Sequence, residues 1–203
     1  MCSEENEKAR SSENALLDKL RNVIQRAFEK LLENDSFLLE NDLHERAISH
    51  WFAVYLNDEI QDSFPKEKYN VDCEYNRDIT RDAGRVKKAF LLKEEINAEF
   101  QKTSECKALE YFGERSVYPD IIVHKRGSNA DNLLVIEIKK SNSRFDNNFD
   151  THKLEAYTRK EFEEDVLKYK YGAFLEIQVC RKSNFMFKAF WFSEGKKIDQ
   201  NVF

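Results

Sequence analysis

The sequence predicts an α/β domain in which helices cover a mixed central β-sheet. Three observations carry that expectation. Two segments near the start, 13–33 and 41–56, place apolar side chains at steps of three and four, as amphipathic helices do. Several later segments are short, rich in β-branched and aromatic residues, and separated by turn formers. A helical stretch over 150–169 falls between the third and fourth of these strands, which implies a mixed sheet rather than a plain meander.

The first helix is read from Leu16, Leu20, Val23, Ala27 and Leu31, widened by Leu17, Ile24 and Phe28. Residues 1–12 show no buried periodicity and are expected to fray. Asn34-Asp35-Ser36 reads as a break. A second helix starts near Asp42, whose spacing to Glu45 suits a capping box, and continues through Ile48, Trp51, Phe52, Tyr55 and Leu56. Val71, Cys73 and Tyr75 then alternate with polar residues, as in a half-buried strand. Residues 81–110 return to charged, helix-like sequence and are expected to form an insertion, spanning about 81–112. The runs YPDIIVH (118–124) and LLVIEIK (133–139), joined by KRGSNADN, predict a hairpin. GAFLEIQVC (172–180) and MFKAFWF (186–192) supply two more strands.

Length and composition bound what such a domain can do. The 203 residues suit one domain with a helical appendage: a polar tail and helix over 1–40, and a core over 41–203. Charged residues at 35% exceed the usual ~25%, yet the net charge of −5 excludes a globally basic nucleic-acid coat and speaks against an anionic-lipid binder. A locally basic groove stays open. No apolar run approaches the ~20 residues of a membrane helix, so no membrane partner is expected. The start, MCSEENEKARSSEN, is polar and acidic, unlike a signal peptide. Cys2, Cys73, Cys106 and Cys180 lie far apart with no zinc spacing, so reduced thiols and a cytoplasmic location are expected.

One constellation carries chemistry. Asp120 opens the first strand of the 118–139 hairpin, and Glu137 and Lys139 sit two apart on the second, hence on one face. They interrupt a run that otherwise reads as a buried strand, where charge is costly unless paired or bound to metal. Two carboxylates converging in a partly dry site repel, and a divalent cation removes the conflict. An all-oxygen ligand set of Asp120, Glu137 and a backbone carbonyl, expected from Ile138, suits Mg²⁺ or Mn²⁺ rather than zinc. Lys139 could then orient a water and assist its deprotonation, or offset phosphate charge.

Pro119-Asp120 and Glu137-Ile138-Lys139, on adjacent strands with a helix upstream, resemble the active site of the PD-(D/E)xK nuclease superfamily, the restriction-endonuclease-like fold. HERAISHWFAVYL resembles that family's first core helix, which often presents an acidic residue to the metal; Glu45 is the candidate. Together with VDCEYNR, NLLVIEIKK and KYGAFLEI, the resemblance to bacterial members spans about Asp42 to Cys180. It implies a restriction-endonuclease-like sheet with an extra N-terminal helix and a Mg²⁺-dependent endonuclease-like phosphodiesterase, with Mn²⁺ able to substitute. The expected reaction cleaves a P–O bond of nucleic acid, DNA in the first instance, leaving a 5′-phosphate.

Plainer roles stand beside these. Glu137 and Lys139 could be a solvent-facing pair, Asp120 a turn residue, and Glu45 a capping residue worth ~1 kcal/mol. His44, His50, His124 and His152 lack metal spacing, although His124 shares the face of Asp120. Lys125, Arg126, Lys140 and Arg144 are candidates for phosphate contacts, with a solvated face as the ordinary alternative. A non-catalytic nucleic-acid- or partner-binding module on the same fold is the competing function, and a homodimer is left open.

Overall fold

The computed structural model describes residues 2–74, 77–78, 85–86, 88–89, 115–116, 118–128, 131–141, 148–159, 168–180 and 184–203. The apolar stripe over 13–33 builds a longer helix than its periodicity marks. Helix α1 runs Cys2–Glu40 and carries non-helical backbone at Asp35, where the break was expected. Residues 2–12, expected to fray, are helical too. Among them, the described side chains of residues 7, 8 and 10–12 are exposed, so no buried stripe marks this part of the helix.

Helix α2 runs Glu45–Ser63. Leu20, Val23, Ile24, Ala27 and Leu31 of α1 and Ile48, Phe52, Leu56 and Ile60 of α2 are buried in one cluster. Arg26 and Lys30 of α1 both pair with the buried Glu59 of α2, and Tyr55 donates to Asp35. Those cross-links match early α1 with late α2, so the helices are antiparallel.

Strands β1 (Asn70–Cys73), β6 (Ile121–His124), β7 (Leu134–Lys140), β8 (Tyr171–Cys180), β9 (Asn184–Ser193) and β10 (Lys196–Val202) form one sheet in the order β1-β6-β7-β8-β9-β10. The β7–β8 pair is parallel and the other pairs are antiparallel, so the sheet is mixed. Helix α3 (Asn148–Thr158) lies in the β7–β8 connection.

Side chains alternate between two cores. Ile136 and Ile138 of β7 join α1 and α2, stiffened by stacked Phe28 and Phe187 rings 4.3 Å apart. Ile122 and Val135 face the other way, with Leu154 and Tyr157 of α3. The described elements thus form helix, sheet and helix layers, with β7 buried on both faces. Among the described residues no helix is long and apolar enough to cross a membrane.

The differences from the expected elements have local causes. The expected N-cap at Asp42 is replaced by His44, whose Nδ1 accepts from Arg46 N at 3.2 Å. Asp42 has a positive φ of 52°, and its carboxylate takes the Lys140 ammonium at 2.6 Å instead. β10 was not expected, since it is an exposed edge strand with no apolar run. A tight turn with positive φ at Glu194 and Gly195 returns the chain to it. The expected insertion over 81–112 lies mostly outside the described residues. Its described parts are extended rather than helical: β3 (Arg85–Val86) pairs with β2 (Arg77–Asp78), and β4 (Lys88–Ala89) with β5 (Arg115–Ser116).

One glycine sets how closely α3 approaches the sheet. A Cβ at Gly172 would stand 3.2 Å from Leu154 Cδ2 and 3.3 Å from Thr158 Cγ2 and Phe192 Cβ. Gly172→Val should therefore push α3 outward and cost about 1–3 kcal/mol in urea unfolding. Unchanged stability would contradict this packing.

The α1–α2 link predicts a pH effect. Burial pushes the Glu59 carboxyl up, but hydrogen bonds from Lys30 and Arg26 outweigh it and hold it below its usual 4.5. A lowered carboxyl stabilises the fold above its unfolded pKa, and that stability is lost as pH falls through the folded value. Thermal unfolding from pH 7 downward should therefore show wild type losing more stability than Glu59→Gln below about pH 4.5. Parallel losses would contradict the link.

Candidate active site

The β6–β7 register pairs Ile121 with Ile136, so Asp120 lies one step further, opposite Glu137. By alternation Asp120, Glu137 and Lys139 all face the α3 side. The Asp120 carboxylate is held by strand backbone, since Ile138 N donates to its Oδ2 at 2.8 Å. Glu137 is only 1% exposed. Its Oε2 lies 3.0 Å from Lys153 Nζ, while its Oε1 is buried with no hydrogen-bond partner among the described residues. Lys139 Nζ lies 3.5 Å from both Glu45 Oε2 and Asp150 Oδ2.

Glu45 enters from α2. Its Oε1 accepts from Lys140 N at 3.2 Å, at the carboxyl end of β7. The expected capping box is therefore not formed: His44 caps the helix and Glu45 reaches the site. The structure thus brings together all four expected side chains, Glu45, Asp120, Glu137 and Lys139.

Two residues join them that sequence reasoning did not single out. Asp150 and Lys153 lie one turn apart on α3, with Lys153 Nζ 2.6 Å from Asp150 Oδ1. The available signal was their i, i+3 spacing, which on an exposed helix marks only a solvated pair. Here Asp150 is buried, and the Lys153 side chain is only 13% exposed.

Burial and crowding set the protonation preferences. Burial pushes Asp120 up, against the opposing pull of the Ile138 N–H and the two lysines. Desolvation pushes Glu137 well above the usual carboxyl range, and the nearby Asp120 and Asp150 add to it. Burial alone would lower Lys139 and Lys153, but the surrounding carboxylates reverse that and hold both as ammonium groups. The Tyr157 hydroxyl, one turn beyond Lys153, is buried without a partner among the described residues and is raised by desolvation.

The basic residues expected to touch phosphate are engaged elsewhere. Arg126 forms a fork with Asp72, and Lys125 lies 3.4 Å from Asp131. Both follow the end of β6, whereas Lys139 and Lys140 end the antiparallel β7, so the two pairs stand at opposite ends of the ladder, roughly 25 Å apart. Lys140 Nζ is taken by Asp42 and by the Leu43 carbonyl at 2.9 Å. Arg144 lies outside the described residues. His124 does not line the site: its Nε2 lies 2.9 Å from Asp72 on β1.

As the side chains stand, no three His, Cys, Asp or Glu groups among the described residues gather closely enough to clasp a metal ion. The donor chemistry still suits one. The carboxylates are hard oxygen ligands, and the orphaned Glu137 oxygen is an acceptor that folding has left unused. Comparison of the chain with protein-family models, with curated proteins and with solved structures found no match in any of the three.

Proposed function

We propose that the chain is a metal-dependent nuclease that hydrolyses phosphodiester bonds of nucleic acid, DNA in the first instance. The observation that supports it most is the fully buried Glu137 carboxylate, with one oxygen unpartnered, beside Asp120 in a cluster with excess negative charge. Glu45, Asp120, Glu137 and Asp150 supply four carboxylates against the two ammonium groups of Lys139 and Lys153. With all four ionised the surplus is two negative charges, which is what one divalent cation neutralises. The motif's resemblance to the PD-(D/E)xK nucleases adds to this reading.

Asp120 and Glu137 would hold Mg²⁺ or Mn²⁺, with the Ile138 carbonyl as a further ligand and Glu45, a third carboxylate at the rim, reaching a second cation or its water. When bound, such a cation polarises a phosphoryl oxygen and acidifies a water. The chain's own groups do the rest. The Ile138 N–H fixes the Asp120 carboxylate, so its orientation costs little at the moment of binding. Glu45 and Asp150 hold the Lys139 ammonium between them. Because those carboxylates keep it protonated, Lys139 serves as a donor that orients the attacking water and offsets charge on the phosphate, rather than as a proton acceptor.

A partner-binding module on the same scaffold is the second reading. The internal pairing of Lys125, Arg126 and Lys140 favours it, since these cations are not free for phosphates. Plasmid cleavage separates the two. With Mg²⁺ or Mn²⁺ the protein should nick supercoiled DNA, and EDTA should stop it. Lys139→Ala should slow cleavage about a hundredfold or more while leaving the melting temperature near that of wild type. Folded protein that cuts neither DNA nor RNA with either metal would favour the binding module.

A further inference from the structure

Lys153 has no assigned part in the proposed chemistry, yet it stands at the centre of the acidic cluster. Its ammonium bridges Glu137 Oε2 at 3.0 Å and Asp150 Oδ1 at 2.6 Å. A solvated surface lysine does not need two buried carboxylates. Without it Glu137 would be an uncompensated buried charge, and Asp150 would keep only its 3.5 Å contact with Lys139.

We propose that Lys153 is a tethered counter-ion that stands in for the divalent cation in the metal-free protein, and that cation binding takes Glu137 away from it. This inference rests on the cation reading of the site. Two features carry it. The ammonium engages one Glu137 oxygen and leaves the other buried without a partner, an incomplete solvation that a cation with several ligands would complete. Asp150, one turn before Lys153 on α3, stays paired with the ammonium when Glu137 leaves, so release strands no charge.

The device has two consequences. In the absence of metal the acidic cluster does not unfold the sheet, because a positive charge is built in. In its presence the affinity is lowered by the work of breaking the Lys153–Glu137 contact, so weakly held monovalent cations do not displace the lysine.

Calorimetric titration of the full chain with Mn²⁺ tests this, using wild type, Lys153→Met, Lys153→Gln and Asp120→Asn. Removing the competing ammonium should tighten Mn²⁺ binding at least about tenfold, the equivalent of breaking one charged hydrogen bond. The metal-free Lys153 variants should also melt lower than wild type and recover more on adding Mn²⁺. A lysine with only a structural role would lower the melting temperature without tightening the metal. Lys153→Gln retains a hydrogen-bonding side chain and is the variant to use if Lys153→Met fails to fold. A folded variant that binds Mn²⁺ no more tightly than wild type overturns the counter-ion role and leaves the nuclease reading standing. Binding by neither wild type nor variants, or binding that Asp120→Asn does not weaken, overturns the cation site itself.

Discussion

The structure depends on one costly choice: a carboxylate at Glu137, in a strand buried on both faces. Moving an isolated carboxylate out of water costs several kcal/mol even after relaxation, so the fold must bring positive charge to it. That requirement explains the surrounding architecture. Gly172 lets α3 settle close to β8, and α3 carries Lys153 and Asp150 over β7. The antiparallel β6 sets Asp120 opposite Glu137, and the strand backbone fixes its orientation. The α1–α2 connection is tied to the carboxyl end of β7 through Asp42, Leu43 and Glu45.

A buried ion network of this kind is a weak source of stability. Apolar residues of similar volume at these positions would often hold the sheet as well or better. The proposed chemistry gives the network a reason. Carboxylates that repel each other until a cation arrives make a site that prefers divalent ions, and Lys153 keeps such a site foldable in their absence. The rest of the molecule is conventional: apolar stripes on α1 and α2 pack one face of the sheet, and a smaller cluster under α3 packs the other.

Much of this was legible in the sequence, for physical reasons. The period of two in the 133–139 run put Glu137 and Lys139 on one face, and the turn formers between the two strands fixed their pairing. The helices of the first 60 residues were visible wherever they bury a stripe. What stayed hidden was whatever burial does not mark. The described side chains over 7–15 of α1 are exposed, so no periodicity announces that stretch. β10 exposes most of its side chains and reads as polar. Asp150 and Lys153 look like an ordinary surface pair until the docking of α3 buries them. Glu45 carried two readings at once, and the cap at His44 removes the capping one, leaving its carboxylate against the Lys140 N–H and the Lys139 ammonium. The basic residues misled in the opposite direction, because sequence cannot show that Arg126 and Lys140 have acidic partners some 50 to 100 residues away.

The central claim is that Asp120 and Glu137 form a divalent-cation site held in waiting by Lys153. Crystals of the full chain soaked in Mn²⁺, with anomalous scattering recorded at the manganese edge, address it most directly. The account predicts an anomalous peak within ligand distance of both carboxylates, with the Lys153 ammonium drawn back from Glu137 toward Asp150. A map with no peak there, and Lys153 still bridging the two carboxylates at saturating Mn²⁺, would contradict it.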